Sequence, residues 1–278
     1  MTRQAVPEPA AAATELSFTV RVRRGGPFQP GRRRWQVFAV SVPADYTVVE
    51  LMEYIKGHHD PSLAFRHSCH HGSCGTCAMK VNGVERLTCT TTVTDVVQQG
   101  GRLDVEPLGH LPWVSDLVAD PAPLFDNLEA LGPGHVRADG IFAACIECGA
   151  CISACPIGGP RSGYVGPAPL AAARDALVAG QTPGLGWGLM LERVDGGHGV
   201  WQCHTAFECT RVCPADVDPA GAIVQLRQLL AGGQAKSLAG LAMSRGSSAP
   251  GGSASAGGSA ASHPTGAQRS RREGGEGS

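Results

Sequence analysis

An α+β chain, a small mixed domain followed by a helical one, is what the sequence predicts, and three observations predict it. Leu16 to Arg23 alternates apolar and polar residues, the period-2 pattern of a half-buried strand. Thr47 to Gly57 carries a helix start signal, one apolar face and a stop signal. Beyond residue 113, Ala- and Leu-rich runs with their own start and stop residues flank two cysteine motifs. The expected divisions are a disordered arm over 1–14, the mixed domain over 15–112, the helical domain over 113–233 and a disordered low-complexity tail over 234–278.

Within the first domain, Gly- and Pro-rich residues follow the opening strand, and Trp35 to Val42 reads as the returning strand of a hairpin. Arg32, Arg33 and Arg34 read as its solvated tip. Thr47-Val-Val-Glu50 is a capping box, in which the Thr hydroxyl and the Glu carboxylate satisfy orphan amides at a helix start. Val48, Leu51, Met52 and Ile55 then share one face, and Gly57 is placed to end the helix. In the second domain, Pro167 to Ala179 reads as a helix with Gly180 as its stop. Asp218-Pro219 supplies an N-cap and a first-turn proline for a helix that Gly232-Gly233 ends.

Cysteine spacing carries the chemistry. Cys145, Cys148, Cys151 and Cys155-Pro156 read C-x2-C-x2-C-x3-C-P, the spacing that holds cubane iron–sulfur clusters, with the fourth Cys ligating the other cluster of a pair. Cys203, Cys209 and Cys213-Pro214 repeat it with Ala206 at the second ligand position. Crossed ligation therefore assigns Cys145, Cys148, Cys151 and Cys213 to a [4Fe-4S] cluster. Cys155, Cys203 and Cys209 remain, one ligand short, and read as a [3Fe-4S] site because Ala206 offers no replacement donor. Paired zinc sites are the alternative, but they do not call for this spacing twice. Cys69, Cys74, Cys77 and Cys89 have the plant-type [2Fe-2S] spacing, C-x4-C-x2-C and a distant Cys. Gly72 and Gly75 there suit a loop that needs positive φ and close backbone approach. His70 and His71 invite a Rieske reading, which four cysteines make unnecessary.

The three sets use all eleven cysteines of the 278-residue chain, and an odd number in clusters argues for metal rather than a disulfide framework. A net charge of −1 excludes a strong field for nucleic acid. With 38 Gly and 20 Pro the ordered part should be loop-rich and held partly by its metal sites. No apolar run of spanning length occurs, and Met1 to Thr14 does not read as a secretory signal.

Cys69 to Cys89 resembles the S-C-R-E-G-x-C-G-S-C-A-M loop of succinate dehydrogenase and fumarate reductase iron–sulfur subunits, with His70-His71 in place of Arg-Glu. Val105 to Leu108, Leu111-Pro112 and Asp116 to Asp120 resemble that family's connector, and Cys145 to Pro156, Gly166-Pro-Ala168 and Cys203 to Pro214 its second domain. The resemblance covers roughly residues 15 to 233. It implies a β-grasp [2Fe-2S] ferredoxin domain followed by an all-helical two-cluster ferredoxin domain. It also implies a wire between a flavoprotein subunit carrying FAD and a heme-containing membrane anchor with its quinone, peripheral on the cytoplasmic face. The lack of any substrate-pocket motif agrees with a subunit whose catalysis belongs to the assembled complex. A free-standing multi-cluster carrier, or the same module serving another flavoenzyme, is the alternative. At the quinone end the segment from Ile157 to Val165 lacks the Trp found in many members, which leaves Tyr164 and His204 as candidates there. A buried Tyr bonded to a carbonyl and a surface imidazole are their blander readings.

Overall fold

The computed structural model describes residues 14–27, 34–98, 100–132, 144–159, 162–181, 183 and 185–246. The arm expected over 1–14, apart from Thr14, lies outside the described residues, as do Arg32, Arg33 and 247–278 of the expected tail.

Strands β1 (Glu15–Arg24) and β2 (Arg34–Pro43) form the expected antiparallel hairpin, paired from Glu15 with Pro43 to Arg24 with Arg34. The alternation of β1 sends Phe18, Val20 and Val22 inward. Strands β3 (Ala78–Val81), β4 (Val84–Leu87) and β5 (Arg102–Glu106) complete a five-stranded sheet of order β2-β1-β5-β3-β4, in which β5 runs parallel to β1. Helix α1 (Val48–His58) lays Val48, Leu51, Met52 and Ile55 on that core. Its capping box is present: the Thr47 amide donates to Glu50 Oε2 at 2.7 Å and the Glu50 amide to Thr47 Oγ1 at 3.4 Å. Gly57 lies inside the last turn rather than beyond it, because the His59 amide still reaches the Ile55 carbonyl. A short helix, α2 (Val93–Val96), follows Cys89.

The boundary expected after residue 112 falls later. Strands β6 (Trp113–Ser115) and β7 (Val118–Ala119) form a small hairpin that belongs to the first domain. Buried Asp116 accepts from Arg24 Nε at 3.1 Å and from the Gly25 and Ala64 amides at 3.0 Å each, and Leu117 enters the first core. Proximity in sequence to the helical region did not reveal these partners, which lie some fifty and ninety residues upstream.

The second domain is helical: α3 (Ala122–Leu131), α4 (Ala150–Ala154), α5 (Pro167–Ala179), α6 (Gly186–Asp195), α7 (Glu208–Arg211), α8 (Pro219–Ala231) and α9 (Gln234–Gly246). Gly180 caps α5 at φ +67°, and Asp218 Oδ1 accepts from the Gly221 amide at the start of α8. Leu170, Leu177, Met190, Val194, Ile223 and Leu226 form its core.

Helix α9 corrects the expectation that disorder begins at 234. Its Ala235 and Ala239 are buried and Leu238 half-buried against that core, so small residues let the helix approach where large apolar ones were looked for. Gly233, at φ +69°, turns the chain between α8 and α9. Removing residues 247–278 is therefore expected to leave the thermal midpoint unchanged. Removing 234–278 uncovers this face and should cost about 2 kcal/mol or more, read as a lower denaturation midpoint.

Candidate metal centres

The first cysteine set sits on the loop before β3 and the turn after β4. Cys77 and Cys89 are buried and Cys69 and Cys74 half-buried, all as free thiols. Thr88 Oγ1 donates to the Cys77 carbonyl at 2.8 Å, which ties the two ends of the set together. The His71 amide, then the Ser73 hydroxyl, hold the Cys69 thiol down to about 5, whereas burial and then the neighbouring Cys77 push Cys89 up to about 11. Both imidazoles that invited a Rieske reading are engaged elsewhere. His71 Nδ1 donates to the Cys69 carbonyl at 2.6 Å and its Nε2 faces Ser73 Oγ at 2.9 Å, while His70 turns towards His67.

Cys145, Cys148, Cys151 and Cys213 line a second space together with Leu124 and Pro219. Burial pushes Cys148 up to about 11 and Cys151 well above the ordinary thiol range, with the other thiols of the set adding to both. Cys155, Cys203 and Cys209 line a third, together with Tyr164, His204 and Ala206. There burial, then Cys155 and Cys203, push Cys209 up to about 11. Bound metal would take the protons of thiols crowded and buried in this way and hold them as thiolates, so the donor sets fit iron–sulfur clusters.

The two cubane motifs repeat in backbone as well as in sequence. Glu147 and Thr205, each two residues after the first Cys, are both left-handed at φ +56°, and their amides donate to Cys145 Sγ at 3.4 Å and Cys203 Sγ at 3.3 Å. Gly149 and Phe207, four residues after, are left-handed too, at φ +80° and +58°. Short helices α4 and α7 then begin at equivalent places, carrying Cys151 and Cys209. Ala206 thus occupies the loop position of Cys148 on the same backbone path.

Gly75, marked in the sequence for positive φ and close backbone approach, joins the sets, and sequence reasoning missed the rest of what joins them. Gly75, at φ +70°, packs on the first cubane loop so closely that a Cβ would lie 2.7 Å from the Ile146 carbonyl oxygen and 2.8 Å from Cys148 Cβ. Ser153 on α4 donates to buried Glu85 on β4 at 2.7 Å and accepts from the Gly109 amide at 2.7 Å. Arg227 on α8 donates to the Val200 and Cys203 carbonyls and, at 2.9 Å, to Thr205 Oγ1, clamping the loop of the three-cysteine set. No spacing signal marks Ser153, Glu85 or Arg227.

A 2Fe-2S iron–sulfur cluster binding domain matches residues 19–126, and a 4Fe-4S dicluster domain matches residues 141–217. The fumarate reductase iron–sulfur subunit of Mycobacterium tuberculosis is 32% identical over 211 residues, 68% of this chain and 83% of the relative. The chain belongs to the family of succinate dehydrogenase and fumarate reductase iron–sulfur subunits. The mitochondrial succinate dehydrogenase [ubiquinone] iron–sulfur subunit of Dictyostelium discoideum is 31% identical over 216 residues, 66% of this chain and 72% of that one. A chain of the Mycobacterium smegmatis Sdh1 complex in the apo form shares the fold, with TM-score 0.66 at 22% identity over 78% of this chain and 97% of that chain. As a member of the family, the protein is an iron–sulfur subunit of an enzyme of this class, with binding regions for 2Fe-2S and 4Fe-4S clusters. No helix among the described residues is long and apolar enough to cross a membrane.

At Gly75 a side chain meets backbone and the left-handed region together, so Gly75→Ala should cost about 1–3 kcal/mol from backbone strain alone. The expected result is a lower thermal midpoint and reduced iron content, measured by metal analysis of the purified chain.

Proposed function

We propose that this subunit passes electrons between the FAD of a flavoprotein subunit and a membrane quinone through three clusters: [2Fe-2S] on Cys69, Cys74, Cys77 and Cys89, [4Fe-4S] on Cys145, Cys148, Cys151 and Cys213, and [3Fe-4S] on Cys155, Cys203 and Cys209. When bound, the clusters supply one-electron carriers. The polypeptide would hold them in order, with the Glu147 and Thr205 amides donating to Cys145 Sγ and Cys203 Sγ. The observation that carries the reading is the continuity of the three thiol sets. Gly75 of the first set's loop touches Cys148 of the second, and Cys151 of the second lies near enough to Cys209 of the third for their charges to interact.

The far end of this path has the character of a docking surface. Trp201 and Phe207, flanking the three-cysteine loop, are 50% and 49% exposed, and His204 between them is also exposed. Large apolar residues displayed beside a polar imidazole suit a partner surface, here a heme-containing anchor on the cytoplasmic face with its quinone. Co-purification tests this: a flavinylated partner, a hydrophobic subunit and succinate- or fumarate-linked quinone turnover are expected. A lone soluble chain would support a free-standing carrier instead.

For Tyr164, a candidate at the quinone end, we infer a role at the three-cysteine set. Its phenol oxygen is buried with no nitrogen or oxygen partner among the described residues, so the expected carbonyl bond is not made. Burial, followed by the thiols of Cys203 and Cys155, pushes its ionisation above the ordinary range, so it stays a donor. The hydroxyl shares one space with Cys155, Cys203 and Cys209, which supports a role as donor to sulfur there. A hydrogen bond to sulfur favours the reduced, more negative state and raises the potential.

Electron paramagnetic resonance during a redox titration tests both assignments. The wild-type chain should show an oxidised [3Fe-4S] signal, and Ala206→Cys, which supplies the vacant ligand position, should convert it towards [4Fe-4S]. Tyr164→Phe should keep the signal and lower its midpoint, by about tenfold in the reduction equilibrium or 59 mV for a one-electron couple.

A further inference from the structure

Glu53 on α1 and His67 and His70 on the loop around Cys69 turn their donor atoms to one point. His67 Nδ1 lies 2.8 Å from His70 Nε2 and 3.2 Å from Glu53 Oε1, and His70 Nε2 lies 3.7 Å from the same oxygen. A tetrahedral zinc ion with bonds of 2.0–2.1 Å to imidazole and carboxylate has edges of about 3.3 Å between its ligand atoms. The three separations bracket that edge. Three lone-pair donors converge here, and a single bridging proton satisfies two of them well, whereas a cation satisfies all three.

The donors are held in place from several sides. Glu53 projects from the exposed face of a helix whose start is fixed by its capping box. The His67 ring stacks on Phe65, with centroids 5.2 Å apart, and Phe65 packs against the first core. His70 is left-handed at φ +60°, a costly conformation for a non-glycine residue, and this turns its ring back to His67. The nearby charges are Glu50, which acts electrostatically on His70, and Lys56, whose ammonium is tied to the Leu63 carbonyl at 3.0 Å. All three donors are more than a third exposed, so an ion has an entry path and a water can complete its coordination.

We propose that Glu53, His67 and His70 form a further metal site, separate from the cysteine sets, which takes one zinc ion and clamps the loop around Cys69 onto helix α1. Two imidazoles and a carboxylate are a donor set suited to zinc, with copper and nickel as its chemical neighbours. His71 is excluded from the site because both its ring nitrogens are bonded within the loop.

The test is a titration of Zn²⁺ alone onto the full chain carrying its clusters, with binding followed by calorimetry and cluster integrity by visible absorption. One Zn²⁺ per chain is expected, bound roughly tenfold or more weakly by His67→Ala and by Glu53→Gln and unchanged in His71→Ala. Cu²⁺ in place of Zn²⁺ should show nitrogen hyperfine splitting that His67→Ala reduces. The proposal is overturned if no Zn²⁺ binds, if the variants bind it as the wild type does, or if uptake occurs only with loss of cluster absorption.

Discussion

Everything in this subunit depends on two cluster loops touching through backbone. Gly75 leaves its own loop at positive φ and rests on Ile146 and Cys148, where any side chain would strike the Ile146 carbonyl oxygen and Cys148 itself. That contact fixes the distance between the first and second thiol sets, and the surrounding seam keeps it fixed. Leu108 and Leu111 from the connector pack with Cys77, Leu87 and Cys89 on one side and Ile146, Cys148 and Ile152 on the other. Ser153, bonded to both Glu85 and the Gly109 amide, adds a directional link that an apolar seam alone lacks.

The helical domain treats its two motifs as copies of one device. Left-handed Glu147 and Thr205 cost about 1–3 kcal/mol each in backbone strain, and each turns an amide onto the first sulfur of its motif. The same strain is present in the copy that carries Ala206, so the two loops share a shape although one has Cys148 and the other Ala206 at that position. Arg227 reinforces the second copy by holding the Val200 and Cys203 carbonyls and the Thr205 hydroxyl from α8. Thr210 does similar service between α7 and α8, donating to Asp218 Oδ1 at 2.6 Å while that same oxygen caps α8.

Much was legible because it is local. The β1 alternation, the Thr47–Glu50 box, Gly180 behind α5 and Asp218-Pro219 ahead of α8 are short-range rules, and the structure follows them. Helix α6 was legible but not read: Trp187, Met190 and Val194 fall at helical spacing and are its buried face. Helix α9 was harder. Its buried residues are alanines, and a compositional test that looks for large apolar side chains passes over a helix that stabilises itself by close approach.

By itself the sequence determined the cysteine motifs, their spacing and the order of the two domains, because metal-binding spacing and helix or strand periodicity are written within a few residues. Only the tertiary structure decided where the sets meet, which side chains brace them and where the first domain ends. Gly75 against Cys148, Asp116 reaching back to Gly25, Arg227 over the Cys203 loop and Tyr164 facing three thiols all join residues distant in sequence. Such contacts leave no periodic trace, since each depends on two surfaces that exist only after both have folded.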